Sequence, residues 1–160
     1  MKVLAIDPGY ERVGIAVVER KNSGDKEQLL YSECFETSAE LPFDKRITLI
    51  GEEVERIINA HHPTCCALET LFFNNNQKTA FRVAEVRGML IYLSQRNNLK
   101  LFEYTPLQVK IAITGYGKSE KKQIIAMVKR LIEIPEKVSR DDEFDAIAIG
   151  LTCIVSNHRA

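Results

Sequence analysis

Lys2-Val3-Leu4-Ala5-Ile6-Asp7-Pro8-Gly9 is the stretch on which the reading of this chain turns. Residues 2–7 form a compact apolar run, which reads as a strand. Asp7-Pro8-Gly9 stops it, because Pro fixes φ and Gly supplies the freedom that a turn needs. Residues 12–20 resume with Val13, Ile15, Val17 and Val18, and residues 28–37 alternate more loosely. Lys21-Asn22-Ser23-Gly24-Asp25-Lys26 between them is a turn. Three successive antiparallel strands are the simplest reading.

Helical periodicity then takes over. Ile47, Ile50, Val54, Ile57 and Ile58 recur at three and four residues, so residues 42–60 bury one face of a helix. Pro63 ends it, and residues 64–71 form a β-type run through Cys65, Cys66, Ala67 and Leu68. Residues 77–96 carry the stripe Val83, Val86, Leu90 and Leu93. Residues 100–104 are a short strand, and Pro106 opens a short helix that Gly115-Tyr116-Gly117 breaks. A further helix over residues 119–133 buries Ile124, Ile125, Val128, Leu131 and Ile132, and a last one begins near Asp141. Strands followed by β-α-β-α connections predict an α/β protein with a five-stranded mixed sheet flanked by helices. There is no internal repeat, low-complexity stretch or linker, so residues 1–160 are expected to form one domain.

Composition narrows the class. The chain is 45% hydrophobic and 28% charged, as in soluble globular proteins, which excludes disorder and collagen-like repeats. No stretch approaches the roughly 18 apolar residues of a membrane span, and the apolar run before Asp7 is too short for a secretion signal. A cytoplasmic protein without membrane contact is expected. Cys34, Cys65, Cys66 and Cys153 show no C-x-x-C pair and no His at ligand spacing, so they read as reduced, packed thiols. His61, His62 and His158 sit in polar surroundings near expected helix ends. The 22 Lys+Arg balance 22 Asp+Glu. A net charge of zero argues against partners recognised through overall positive charge, nucleic acid included, unless the charge is separated locally.

It is separated locally. Asp7 ends the first strand and Glu69 lies near the end of the fourth. Asp142 and Asp145 lie three apart, which places both on one face of the last helix's first turn. Strand ends and helix starts on one rim are where α/β folds build sites. Each residue also has a plainer role: Asp before Pro-Gly starts turns, and acids in a first helical turn favour the helix dipole. Glu69 resists that explanation, because a charge beside a buried strand needs a partner and only Lys78 lies within ten residues. Converging carboxylates without His or Cys select a hard ion, Mg²⁺ or Mn²⁺. Two such ions serve in-line displacement at phosphorus.

Residues 110–130 hold six basic residues (Lys110, Lys118, Lys121, Lys122, Lys129, Arg130) against one acid, Glu120. Lys129 and Arg130 read as a solvated helix face. Lys118, Lys121 and Lys122 surround Gly115-Tyr116-Gly117 and a helix start, where backbone N–H groups and lysines together suit a phosphate. Phe72 and Phe73, before Asn74-Asn75-Asn76, are either core anchors or a platform for stacking a base.

Several blocks together resemble the RuvC family of Holliday-junction resolvases. They are Ile6-Asp7-Pro8-Gly9, Ala67-Leu68-Glu69-Thr70-Leu71-Phe72, Val86-Arg87-Gly88, and Glu103 through Lys110. Thr114-Gly115-Tyr116-Gly117 and Asp142-Glu143-Phe144-Asp145-Ala146-Ile147-Ala148 complete them, in family order over nearly the whole chain. The resemblance implies an RNase H-like fold and a homodimer of metal-dependent endonucleases that resolves four-way junction DNA by symmetric nicks. It places the catalytic, metal-binding carboxylates on Asp7, Glu69, Asp142 and Asp145. It also places a junction-contacting aromatic on Phe72 and DNA-binding lysines on Lys110 and Lys121, beside which Lys118 and Lys122 are candidates. Mg²⁺, with Mn²⁺ as a substitute and two ions per site, and the branch-migration proteins RuvA and RuvB are the implied cofactor and partners. Glu143 and Phe144 stand where small residues are common in the family, and Asp141 is a second candidate for the place of Asp142. Asp7-x-Gly9-x-x-x-x-Gly14 also resembles the first phosphate loop of the actin and sugar-kinase superfamily, but 160 residues leave no room for the second lobe it needs. A junction-binding protein without activity is the remaining alternative.

Overall fold

The computed structural model describes residues 1–70 and 77–157. The chain runs β1 (Lys2–Asp7), β2 (Arg12–Glu19), β3 (Gln28–Glu36), α1 (Phe43–His61), β4 (Cys65–Glu69), α2 (Gln77–Arg96), β5 (Lys100–Tyr104), α3 (Pro106–Thr114), α4 (Lys121–Leu131) and α5 (Asp141–Asn157). The strands form one five-stranded sheet in the order β3-β2-β1-β4-β5. β1, β2 and β3 pair antiparallel, whereas β4 runs parallel to β1 and β5 parallel to β4. The mixed sheet expected from the sequence is present.

Period-two alternation divides the central strands between two cores. Leu4, Ile6, Val13, Ile15, Val17, Cys66 and Leu68 face one way and pack with Ile50, Val54 and Ile57 of α1 and Val86 and Leu90 of α2. Val3, Ala5, Ala16, Val18, Cys65 and Ala67 face the other way, toward α3, α4 and α5. Both faces are covered, so the strands read as continuous apolar runs.

The face toward α5 carries small residues, and the helix lies close against it. A Cβ on Gly150 would stand 2.8 Å from Val18 Cγ2 and 3.3 Å from the Ala5 Cβ. α5 is accordingly buried through Ala146 to Ile154. α4 is shorter at each end than its apolar spacing suggests. Gln123 Oε1 accepts from the Glu120 N–H at 2.8 Å, which starts the helix, and Ile132 leaves it in an extended conformation to be buried. The four cysteines are free thiols. Among the described residues, no helix is long and apolar enough to cross a membrane.

Candidate active site

The alternation that builds the core also aims the acids. Asp7 shares the parity of Val3 and Ala5, and Glu69 that of Cys65 and Ala67, so both belong to the α5 face at the ends of neighbouring parallel strands. The register sets Ile6 against Leu68 and so places Asp7 beside Glu69. On the other side, Asp7 pairs with Gly14 of β2. A Cβ at Gly14 would lie 2.0 Å from the Asp142 carbonyl oxygen and 3.3 Å from the Asp7 Cβ. Gly14 is the gap through which the first turn of α5 descends onto Asp7, so close packing rather than a phosphate loop accounts for it.

The Asp7 carboxyl is pushed from the ordinary 3.8 up to about 8, first by burial and then by Glu69, Asp145 and Asp142, with Lys121 opposing. Glu69 is also raised, by burial and by Asp145; its hydrogen bond with Asp7 and the charges of Lys121 and Lys110 pull it back. Burial raises Asp145, while Lys121 opposes. The Lys121 Nζ donates to Asp145 Oδ2 at 2.8 Å and stands 3.5 Å from Asp141. A cavity of about 260 Å³ is lined by Glu69, Lys110, Lys121 and Asp145 together with Val109 and Ile124.

Asp142 faces the opposite side of the cluster. Its Oδ2 lies 3.9 Å from Arg12 Nη1 and accepts from Cys34 Sγ at 3.6 Å. It is among the charges that act on Asp7, whereas Asp141 is more exposed and pairs with Lys121. The structure therefore brings Asp7, Glu69, Asp142 and Asp145 to one rim, with Lys110 and Lys121 beside them. Lys118 and Lys122 are exposed and line no part of the carboxylate cavity; Gln123, not a free anion site, receives the Glu120 N–H at the start of α4. Phe72, with Phe73 and Asn74 to Asn76, lies outside the described residues, as does His158.

Among the described residues, no three His, Cys, Asp or Glu side chains stand close enough to hold an ion as they are. The donor set nevertheless fits a hard divalent cation. It offers oxygen alone, and three of its carboxyls are held toward the protonated state by burial and by one another, a cost that a cation removes.

Sequence reasoning missed the residues that set the acids in place. Glu143 is 7% exposed; its Oε2 accepts from the backbone N–H groups of Ser139 (3.2 Å) and Arg140 (3.1 Å), and its Oε1 from Ser32 Oγ (3.0 Å). The start of α5 is thereby fastened to β3. Arg140 also pairs with Glu36, the last residue of β3. Arg87 of α2 donates through Nε to the Glu69 carbonyl at 3.2 Å and pairs with Glu103 of β5, fixing the end of β4. Strand parity was the available signal for Arg12, which shares a face with Gly14. Nothing in the sequence announced Glu143 as a cap.

The chain is similar to known proteins over nearly its whole length. Residues 3–153 match the family model described as crossover junction endodeoxyribonuclease RuvC. The crossover junction endodeoxyribonuclease RuvC of Thermosipho melanesiensis is 43% identical over 150 residues, covering 94% of each chain. That of Caldicellulosiruptor saccharolyticus is 41% identical over 157 residues, covering 98% of this chain and 94% of that protein. Thermus thermophilus RuvC, solved in complex with a Holliday junction substrate, superposes with a TM-score of 0.87 at 30% identity, covering 95% of this chain and 92% of that one.

Proposed function

This chain belongs to the RuvC family of crossover junction endodeoxyribonucleases, and from that premise we propose that Asp7, Glu69, Asp142 and Asp145 form its catalytic, metal-binding site. The family is one of metal-dependent nucleases, and the substrate is the four-way junction, cut by paired symmetric nicks during recombination and repair. The observation that carries this reading is the meeting of two parallel strand ends with the start of α5, which sets three further carboxylates around Asp7. The ions are Mg²⁺, with Mn²⁺ as a substitute, two to a site. Asp7, Glu69, Asp142 and Asp145 would hold them, and the bound ions would supply positive charge to the attacked phosphate and favour deprotonation of the attacking water.

The chain's own residues do the rest. Asp7 and Glu69 project from a rigid sheet, so their oxygens hold fixed positions. Asp142 and Asp145 approach from one face of a helix that Glu143 ties down. Lys121 and Lys110 place two ammonium groups beside Glu69, where a phosphate over the carboxylates meets them. Phe72, Lys118 and Lys122 are further DNA contacts in this reading. The working unit is a single nuclease domain paired as a homodimer, acting with RuvA and RuvB in the cytoplasm.

The test is cleavage of a labelled four-way junction. With Mg²⁺ the protein should give paired nicks, and a chelator should stop them. Asp7→Asn should abolish cutting while binding the junction; cutting that persists in Asp7→Asn overturns the site.

A further inference from the structure

A second cleft lies on the opposite face of the sheet, between the beginnings of α1 and α2, with a volume of about 660 Å³. Tyr10, Phe43, Arg46, Phe81, Arg82 and Glu85 line it. Arg46 is 6% exposed. Its Nε donates to Thr37 Oγ1 at 2.9 Å, and Thr37 in turn donates to the Tyr10 carbonyl at 2.7 Å. Its Nη2 is buried and has no hydrogen-bond partner among the described residues; the nearest acid, Glu11, reaches only to 4.0 Å.

A buried guanidinium nitrogen left without an acceptor is a costly arrangement that calls for a reason. Bracing the Tyr10 turn accounts for Nε alone. The walls suggest what completes the rest. The Arg46 guanidinium lies 4.9 Å from the Tyr10 ring centre and that of Arg82 4.1 Å from Phe43, while Phe81 is 68% exposed at the cleft. Cations stacked on rings beside an open aromatic form the surface on which proteins seat a nucleic-acid strand. Each arginine is meanwhile attended by an exposed acid, Arg82 by Glu85 at 3.0 Å and Arg46 loosely by Glu11. The Arg82–Glu85 pair is exposed, so it is weak and yields readily to a phosphate, which arginine binds better, and Glu11 stands beyond hydrogen-bond reach of the buried Arg46.

We propose that this cleft is a second DNA-contact site, in which Arg46 and Arg82 take a backbone phosphate from Glu11 and Glu85 and Tyr10, Phe43 and Phe81 flank the adjoining nucleotide. The proposal rests on the junction-nuclease reading and adds to it a site on the other face of the sheet. Tyr10 follows Asp7 by three residues, so the cleft begins within about 11 Å of the carboxylates. A strand rising by about 3.4 Å per nucleotide covers that in three or four nucleotides.

Junction affinity measured by fluorescence anisotropy across a series of KCl concentrations, without divalent metal, tests it. Arg82 and Glu11 are both well exposed, so their substitution leaves the core intact. Arg82→Ala should weaken binding about tenfold and flatten the log–log salt slope by about 0.9, the value of one phosphate contact. Glu11→Gln, which removes the competing acid, should tighten binding, a gain that a purely bracing role for Arg46 does not produce. Affinities and slopes equal to the unsubstituted protein's in both variants overturn the cleft. If that result comes with normal cutting and an inactive Asp7→Asn, the cleft alone has failed; a protein that neither binds nor cuts junctions removes the reading beneath it as well.

Discussion

Asp7 and Glu143 are carboxylic acids at the same end of the molecule, and their surroundings are opposite. Glu143 accepts three hydrogen bonds, two from the turn before α5 and one from β3. Asp7 is surrounded by Glu69, Asp142 and Asp145, and the charge nearest to relieving it is Lys121. Donors around a buried acid lower its energy in place, whereas acids around an acid raise it. The first arrangement belongs to a support. The second is stable only with a proton or a cation, and it marks the place where the chain keeps binding capacity in reserve.

The sharpest way to break this contrast is to disturb the gap between the two. Gly14→Ala puts a methyl group 2.0 Å from the Asp142 carbonyl, so α5 must lift away from Asp7. Urea unfolding should show a loss of about 3 kcal/mol, and junction cleavage should fall by about a hundredfold or more, as misplacement of the acids by about 1 Å costs. Stability and cutting that both match the unsubstituted protein would mean that the close approach is not needed.

Removing the support is expected to cost less. Glu143→Ala leaves two backbone N–H groups and Ser32 without their acceptor and should lose about 1–3 kcal/mol in the same titration. Glu143→Gln retains one acceptor oxygen and should fall between. Equal stability in all three proteins would show that the cap does not hold α5.

The two acids also differ in what pH does. Between the ordinary value of 3.8 and about 8, the folded chain keeps a proton on Asp7 that the unfolded chain has released. The stability of the metal-free protein therefore falls as pH rises through this window, and the Asp7 contribution is level above it. Mg²⁺ must displace that proton, so stabilisation by Mg²⁺ should grow over the same range. In Asp7→Asn the downward slope should shrink, and melting curves from pH 5 to 8 would expose its persistence. The smallest effect belongs to Lys122, which is exposed and does not line the cavity. Lys122→Ala should change stability by less than about 0.5 kcal/mol, and a larger loss on unfolding would give it a structural role.

What was legible beforehand followed from local rules. The apolar run of residues 2–7 and the break at Pro8 and Gly9 gave β1 its bounds, and the Ile47-to-Ile58 spacing gave α1 its buried face. Asp7, Glu69, Asp142 and Asp145 stood out because strand ends and first helical turns are recognisable from pattern alone. The partners of Glu69 were not legible, since Lys110 and Lys121 lie more than forty residues away and reach it only through the packing of α3 and α4. Nor could a composition of zero net charge show that its acids and lysines are set side by side on one rim. The lysines around Gly115-Tyr116-Gly117 looked alike in sequence, and only the direction of each side chain on α4 separates Lys121 from Lys122.

The sequence by itself determined which segments are strands and helices, because period and breakers are properties of neighbouring residues. It also determined which acids sit at their ends. The tertiary structure alone decided which of those ends meet. Strand order, the parallel register of β1 and β4, and the descent of α5 through Gly14 are long-range facts, set by how two apolar faces close over one sheet. The same long-range packing gave Glu143 its donors and left Asp7 among acids.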